Sequence, residues 1–422
     1  MSEAAVFLVM VGVFVLLAMA FKVPIGISLV FSSATGMLVS GRSISLRHLT
    51  EGSFGYFDTI LIILTAMIFM KVIQMSGLLD TLTAFFIQVF YRKKGRLLLV
   101  VMLLIMFPGM ITGSSTTAVL STGALVAPVL IKLGLPRLKT AALIAMGGIF
   151  GMVAPPVNIL VMIMGSGVDM PYVGLTVPLL VMVLPLAAGT ALWLGYKDIN
   201  IISETKMRHI LPPSLYQKFG LRLFLPLFLV FFLLLGESLF PRFFPRLGIP
   251  AIFLLGSLSG IFSGKRFNFF AATQNAVQEA MPILCILAGV GMFIQVMTLT
   301  GARGWTVISF LSLPPLWLYA GIALSMPLFG AVSAFGSASI LGVPFILAMI
   351  GKNAVLTSAA LSVVAGLGDL MPPTALAGIF AAQVVGESNY FKVLRFCLVP
   401  ALFELIIGIG FLVLTPYIDK VI

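Results

Sequence analysis

The sequence predicts an all-α integral membrane protein with about ten transmembrane helices and two re-entrant helical hairpins, built as two inverted-topology repeats. Three observations lead there. Of 422 residues, 60% are hydrophobic and 9% charged, where an ordinary soluble domain carries roughly a quarter charged residues. Apolar runs recur from end to end at about the 20 residues that a bilayer core demands. Two runs are too long for one crossing, and a glycine-serine cluster interrupts each near its middle.

The runs lie at about 4–21, 25–40, 57–75, 97–131, 140–164, 173–194, 223–240, 249–263, 281–299, 315–350, 354–380 and 396–417. The first lacks a basic leader and an A-x-A-like cleavage site, so it reads as a retained helix and not as a signal peptide. Segment 78–91 is short and ends in a basic cluster. It reads as an interfacial amphipathic helix, or else as the end of one tilted crossing over 57–91. Run 97–131 is flanked upstream by Arg92, Lys93, Lys94 and Arg96 and downstream by Lys132, Arg137 and Lys139. Basic flanks stay cytoplasmic, so this run enters and leaves on one face, as a hairpin with its tip near Gly113 in GSSTT (113–117). Run 315–350 has only Arg303 upstream and Lys352 downstream. That weak charge suits an external flank, with the hairpin tip at GSAS (336–339). Counting the other runs as single crossings gives ten, with both termini outside. The linker 195–222, with Lys197, Lys206, Arg208, Lys218 and Arg222, falls inside; Arg42 and Arg47 fall outside.

Short matches recur in order at offsets near 220: SGR (40–42) with SGK (263–265), IQ (73–74) with IQ (294–295), and Ser76-Gly77 with Thr300-Gly301. GSS (113–115) likewise pairs with GSA (336–338), and APP (154–156) with MPP (371–373). Segments 25–40 and 249–263 are five crossings apart, an odd number, so the halves are inverted. The chain divides into an N-terminal helix (1–24), repeat 1 (25–194, hairpin 97–131, broken helix 140–164) and a cytoplasmic linker (195–222). A connecting helix (223–248) leads to repeat 2 (249–422, hairpin 315–350, broken helix 354–380). Inverted repeats with interrupted segments at matching positions point to a transporter binding site.

Pro155-Pro156 removes two backbone donors from a membrane helix and leaves upstream carbonyls without partners. A cation bound by those carbonyls and by nearby side-chain oxygens would satisfy them. Asn158 lies just beyond the break, and Ser114, Ser115, Thr116 and Thr117 supply hydroxyls at the tip. The second half offers Pro372-Pro373, Thr374, Asp369, Ser337 and Ser339. Tip amides suit a substrate carboxylate. Substrate contacts are expected from Ser115, Thr116, Thr117, Asn158, Ser339 and Thr374, and cation contacts from Asp369 among others.

Other chemistries fit less well. The net charge of +12 sits in short loops between apolar runs, which argues against nucleic acid. No GxxxxGK loop is present, so the chain does not hydrolyse ATP itself. His48 and His209 read as loop residues, and no Ser-His-Asp or metal-ligand spacing appears; no cofactor and no metal beyond the bound alkali cation is expected. Cys285 and Cys397 form no disulfide framework. GLGD (366–369) also suggests an intramembrane aspartyl protease, which would need Asp58, Asp80 or Asp169 as a second embedded aspartate. Lys71 reads as a snorkelling residue. Glu404, deeper in the last helix, either pairs within the bundle or carries protons.

FKVPIGISLVFSSATGMLV, GSSTT, APVLIKLGLPRLKTAALIA and APP together resemble the large membrane subunit of tripartite ATP-independent periplasmic (TRAP) transporters over nearly the whole chain. The resemblance implies an elevator-type, sodium-coupled importer of organic acids such as dicarboxylates, in the bacterial inner membrane. It implies as partners a small four-helix membrane subunit and a periplasmic substrate-binding protein. It implies sodium ligands at Gly113, Ser114 and Ser115 with Pro155 and Pro156, and at Gly336, Ser337 and Ala338 with Pro372 and Pro373. The sequence departs from the family pattern at 116–119, which reads Thr-Thr-Ala-Val, at the GSAS cluster, and at Asp369. A standalone ion-coupled carrier or exporter is the alternative.

Overall fold

A computed structural model describes residues 2–200, 207, 210–240, 247–349 and 351–419. Lys206, Arg208 and His209 of the predicted linker lie outside the described residues. Secondary structure among the described residues is entirely helical. In chain order the helices are α1 (Glu3–Ala20), α2 (Ile25–Val39), α3 (Leu46–Phe54), α4 (Phe57–Met75), α5 (Leu78–Phe90) and α6 (Lys94–Thr112). Next come α7 (Ser115–Lys132), α8 (Arg137–Val153), α9 (Ile159–Gly167), α10 (Thr176–Gly195), α11 (Leu225–Leu239) and α12 (Ile249–Gly260). The remainder are α13 (Phe269–Leu299), α14 (Ala302–Leu311), α15 (Pro315–Gly330), α16 (Ala334–Ala348), α17 (Ala354–Leu370), α18 (Leu376–Val384) and α19 (Tyr390–Ile418). Eight helices of the described residues are long and apolar enough to cross a membrane, and two of these, α6 and α7, are the arms of the first hairpin. Runs 25–40 and 249–263, counted above as crossings, are helices of 15 and 12 residues. His48 lies within α3, not in a loop.

The helices sort into two bodies. In the first, α13 packs along α2, α3 and α4, with α1, α11, α12 and α14 around them. Glycines let the backbones close: a methyl built on Gly291 would lie 2.1 Å from the Gly52 carbonyl oxygen, and one on Gly289 2.6 Å from that of Gly26. Small residues are the usual means of close helix approach in a bilayer, where no hydrophobic drive holds helices together. The second body holds the two hairpins, the broken helices α8–α9 and α17–α18, and the long helices α10 and α19. Large side chains such as Phe31, Leu103, Phe228, Trp317 and Leu402 are exposed around the exterior, as a lipid-facing surface requires. The protein is a multi-pass membrane protein.

The inverted repeat is visible in the packing. The first half of each broken helix lies against the second half of the other, α8 on α18 and α17 on α9. The two halves therefore run in opposite directions. The open end of the first hairpin sits at the C-terminal end of α10, where Lys139 pairs with Asp198 at 2.5 Å. The open end of the second sits at the C-terminal end of α19, where Asn353 donates to Asp419 at 2.5 Å. The hairpins thus enter from opposite faces.

Segment 57–91 is broken and not one crossing. Gly77 takes φ +79° between α4 and α5, and Gly301 takes φ +79° between α13 and α14. Left-handed backbone is open to glycine at little cost, which is why the Ser-Gly and Thr-Gly pairs mark the same turn in both repeats.

The second hairpin differs from the sequence expectation. Its first arm ends at Gly330 and its second begins at Ala334, so the tip is Ala331–Ser333 and not 336–339. Ser114 and Ser333 are the true counterparts. Each caps the second arm of its hairpin, accepting from Thr117 N at 3.3 Å and from Gly336 N at 3.0 Å. The π-helical turns Val119–Gly123 and Ala338–Gly342 follow at the same spacing. The glycine-serine cluster at 336–339 lies about one helical turn beyond the tip, inside the arm.

Both hairpins come closest to the helix that precedes a break at glycines. A methyl on Gly330 would lie 2.5 Å from Gly368 Cα, and one on Gly151 2.5 Å from the Met106 carbonyl oxygen opposite Gly109. Gly368→Val is expected to push α15 off α17 and cost about 1–3 kcal/mol, the range for overpacking. Thermal unfolding in detergent measures it; unchanged unfolding would refute the close contact.

Candidate functional site

The two tips and the second break meet in one cavity of about 590 Å³ between the two bodies. From the hairpin body its wall includes Ser114, Ser115, Thr116, Thr117 and Ser121 of the first hairpin, Ser333 of the second, and Asp369 and Thr374 at the second break. From the other body come Lys71, Gln74 and Glu279.

Each polar wall residue is placed by a local backbone requirement. α7 and α16 start inside the protein, so their first N–H groups need acceptors. Ser114 and Ser333 supply them as N-caps, the role serine favours. This turns Ser115, Thr116 and Thr117 into the first turn of α7, beside the cavity. Asp369 is held in the 3₁₀ turn Leu367–Leu370 that ends α17. It accepts a hydrogen bond from Ser115 Oγ, which ties the first tip to the second break. Thr374 Oγ1 donates to the Ala331 carbonyl at 2.9 Å, which ties the second break to its own tip.

Side chains donate to several of the carbonyls at the breaks. In the first break, Asn158 Nδ2 donates to the Val153 carbonyl at 2.8 Å, and Tyr172 OH to the Pro156 carbonyl at 3.0 Å. In the second, Tyr390 OH donates to the Leu370 carbonyl, the counterpart of Val153. Both proline–proline bonds are cis.

The expected site residues therefore divide. Ser114, Ser115, Thr116, Thr117, Asp369 and Thr374 line the cavity. Asn158 does not: it is fully buried, and its side chain is spent on Val153, on Ser362 Oγ at 3.0 Å and on Val161 N at 3.1 Å. Ser337 and Ser339 do not either, because their hydroxyls donate within their own hairpin, to the Met326 and Gly336 carbonyls at 2.8 and 3.0 Å. Gly336 and Ala338 are buried in the arm beside them. Gly113, at φ +64°, turns the first tip and faces Ile159. Pro155 and Pro156, and Pro372 and Pro373, shape the breaks without lining the cavity.

Sequence reasoning missed Ser333, although a serine between an apolar run and a second helix is a capping signal. It also misread Lys71. Its ammonium pairs with Glu279 across 208 residues of sequence, and both line the cavity. The aspartates that a protease would need, Asp58, Asp80 and Asp169, are absent from the wall, and the hydrogen-bond partner of Asp369 is a serine.

Residues 10–418 match the family model described as tripartite ATP-independent periplasmic transporter, DctM component. Among solved structures the chain is similar to the YdaH transporter of Alcanivorax borkumensis, whose crystal structure is described as revealing an unusual topology. The TM-score is 0.65 at 16% identity, over 94% of this chain and 98% of that one. At that identity the likeness is one of fold. No curated protein matches.

Asn158→Ala and Tyr390→Phe each leave a buried carbonyl unpaired, which costs about 1–3 kcal/mol. Both are expected to lower the unfolding temperature in detergent, whereas Thr116→Ala, which changes only the cavity wall, leaves it within error. A wild-type unfolding temperature for both variants would show that something other than these side chains satisfies the breaks.

Proposed function

We propose that this chain, which belongs to the DctM-component family of tripartite ATP-independent periplasmic transporters, is the translocating subunit of a sodium-coupled importer of small organic acids. The family is one of transporters, not of enzymes. In this reading the protein resides in the bacterial cytoplasmic membrane. It works with a small four-helix membrane subunit and receives substrate from a periplasmic binding protein.

The observation that carries the reading is the convergence of both hairpin tips on one cavity between two helical bodies. Tips that begin helices inside a membrane present N–H groups and hydroxyls to that cavity, which suits a carboxylate. Asp369, accepting from Ser115, adds the negative group that a cation needs. An intramembrane acid is functional by default. The hairpin body is the moving part of an elevator, and the body built on α13 is its scaffold. Substrate crosses as the tips shift relative to Lys71 and Glu279. These two lie near helix ends that lead to the basic loop with Lys265 and Arg266, where Lys265 N donates to the Ser76 carbonyl at 3.0 Å. In this reading the basic loop is cytoplasmic, and the cavity lies nearer that side. On the other side the scaffold holds α9, with Tyr56 OH donating to the Ile163 carbonyl at 3.0 Å and Arg303 to that of Gly167.

Sodium suffices as a driving ion. One charge crossing 100 mV gains about 2.3 kcal/mol. Two ions thus give about 4.6 kcal/mol, which supports roughly 10³-fold accumulation of a neutral solute.

Uptake of radiolabelled organic acids into proteoliposomes, with the two partners supplied, tests this. Uptake is expected to need an inward sodium gradient. Asp369→Asn and Ser115→Ala are expected to raise the half-maximal sodium concentration about tenfold, or about 1.4 kcal/mol. Uptake that continues when choline replaces sodium would overturn the coupling. Uptake that proceeds without the binding protein would favour a standalone carrier.

A further inference from the structure

Glu404 lies near the middle of α19 with its side chain fully buried. Neither carboxyl oxygen has a hydrogen-bond partner among the described residues. The carboxyl sits where three helices meet. A methyl built on Gly366 of α17 would lie 3.7 Å from Glu404 Oε1, 2.8 Å from Val153 Cγ1 and 3.6 Å from Ile149 Cγ2. Val153 is the last residue of α8, and Gly366 leads into the 3₁₀ turn that carries Asp369. The carboxyl is thus at the seam where the first halves of both broken helices meet, next to both breaks and away from the cavity wall.

No countercharge bonds to it. α17 contributes Asp369, which accepts from Ser115. α8 carries only Arg137 and Lys139, at its far end, and Lys139 pairs with Asp198. α15 contributes Tyr319, which accepts from Lys352; that lysine reaches α19 at the Leu412 carbonyl, about two turns from Glu404. α10 and α18 contain no titratable residue. α19 itself adds Tyr390, Lys392, Arg395, Cys397 and Tyr417. Of these, Lys392 pairs with Glu387 and Tyr390 with the Leu370 carbonyl.

A buried carboxylate without a partner must be neutralised. Sodium would need several oxygen ligands, and the seam offers Ile149, Val153 and a glycine. A proton needs only the carboxylate oxygen. We infer that Glu404 is a proton-binding site of the hairpin body, distinct from the tip cavity. It holds its proton while the seam is closed and exchanges it with water when the two broken helices part. Loading and release are the simple equilibrium between carboxylate plus proton and carboxylic acid, and no other reactant is needed. This goes beyond the sodium reading and does not depend on it.

Infrared spectroscopy of the full chain in lipid bilayers at neutral pH, with D₂O as the probe, tests the inference without any transported substrate. A protonated carboxyl stretch is expected in the wild type and in Asp369→Asn. It is expected to vanish in Glu404→Gln, to reappear shifted in Glu404→Asp, and to move to lower frequency after transfer into D₂O. A band that survives Glu404→Gln, or no band in the wild type, would overturn the site. A band that resists deuterium exchange over hours would also overturn it, because the group would then be a static filler.

Discussion

Inside a bilayer, every backbone N–H and C=O must find a partner within the protein, since no water is at hand to supply one. A hairpin that turns halfway, and a helix that stops and restarts, each expose such groups where they are most costly. The structure shows how this chain meets the demand. Ser114 and Ser333 cap the second arms of the hairpins. Asn158, Tyr172 and Tyr390 serve carbonyls at the breaks, and Thr374 serves one at the second tip. The position of the cavity follows from these bonds, because they decide which side chains are consumed and which remain on the wall.

The same demand makes the two repeats chemically unequal. At the first break an asparagine that caps the next helix also serves the upstream carbonyl. At the second break the equivalent cap is Ala375, in a left-handed conformation, and a tyrosine from α19 serves instead. Asp369, in the turn before the second break, reaches across to Ser115 of the first hairpin. The site is built from one tip of each repeat but only one break, and its negative charge comes from one half alone. Two cations bound there would not be bound alike.

Close glycine contacts set how these parts can move. Gly330 on Gly368 and Gly151 against Met106 weld each hairpin to the helix before a break. Each hairpin is therefore held close to one arm of a broken helix. Between the hairpin body and the helices around α13 the contacts include single hydrogen bonds, Tyr56 to Ile163 and Arg303 to Gly167, and stacked rings, Phe14 on Phe329 and Phe310 on Phe345.

The sequence by itself determined the class, the repeat and that the two hairpins enter from opposite faces. Those are written in quantities that add up locally: apolar run length, flank charge and the order of short matches. Gly77 and Gly301 were legible because a left-handed turn leaves a glycine in the sequence. Pro155-Pro156 and Pro372-Pro373 were legible as breaks because proline cannot donate. What satisfies those breaks was not legible, since Tyr390 reaches Leu370 from another helix and Asn158 turns back toward Val153. The second tip was misplaced by about one helical turn, because a glycine-serine cluster reads alike at a tip and inside a tightly packed arm. Only the tertiary structure decided that Ser337 and Ser339 are spent within their hairpin, and that Lys71 faces a cavity beside Glu279. It alone showed Ser115 meeting Asp369 across 254 residues. Composition and periodicity report how a segment meets the bilayer; which polar atoms are left to face a ligand depends on every partner that folding brings to them.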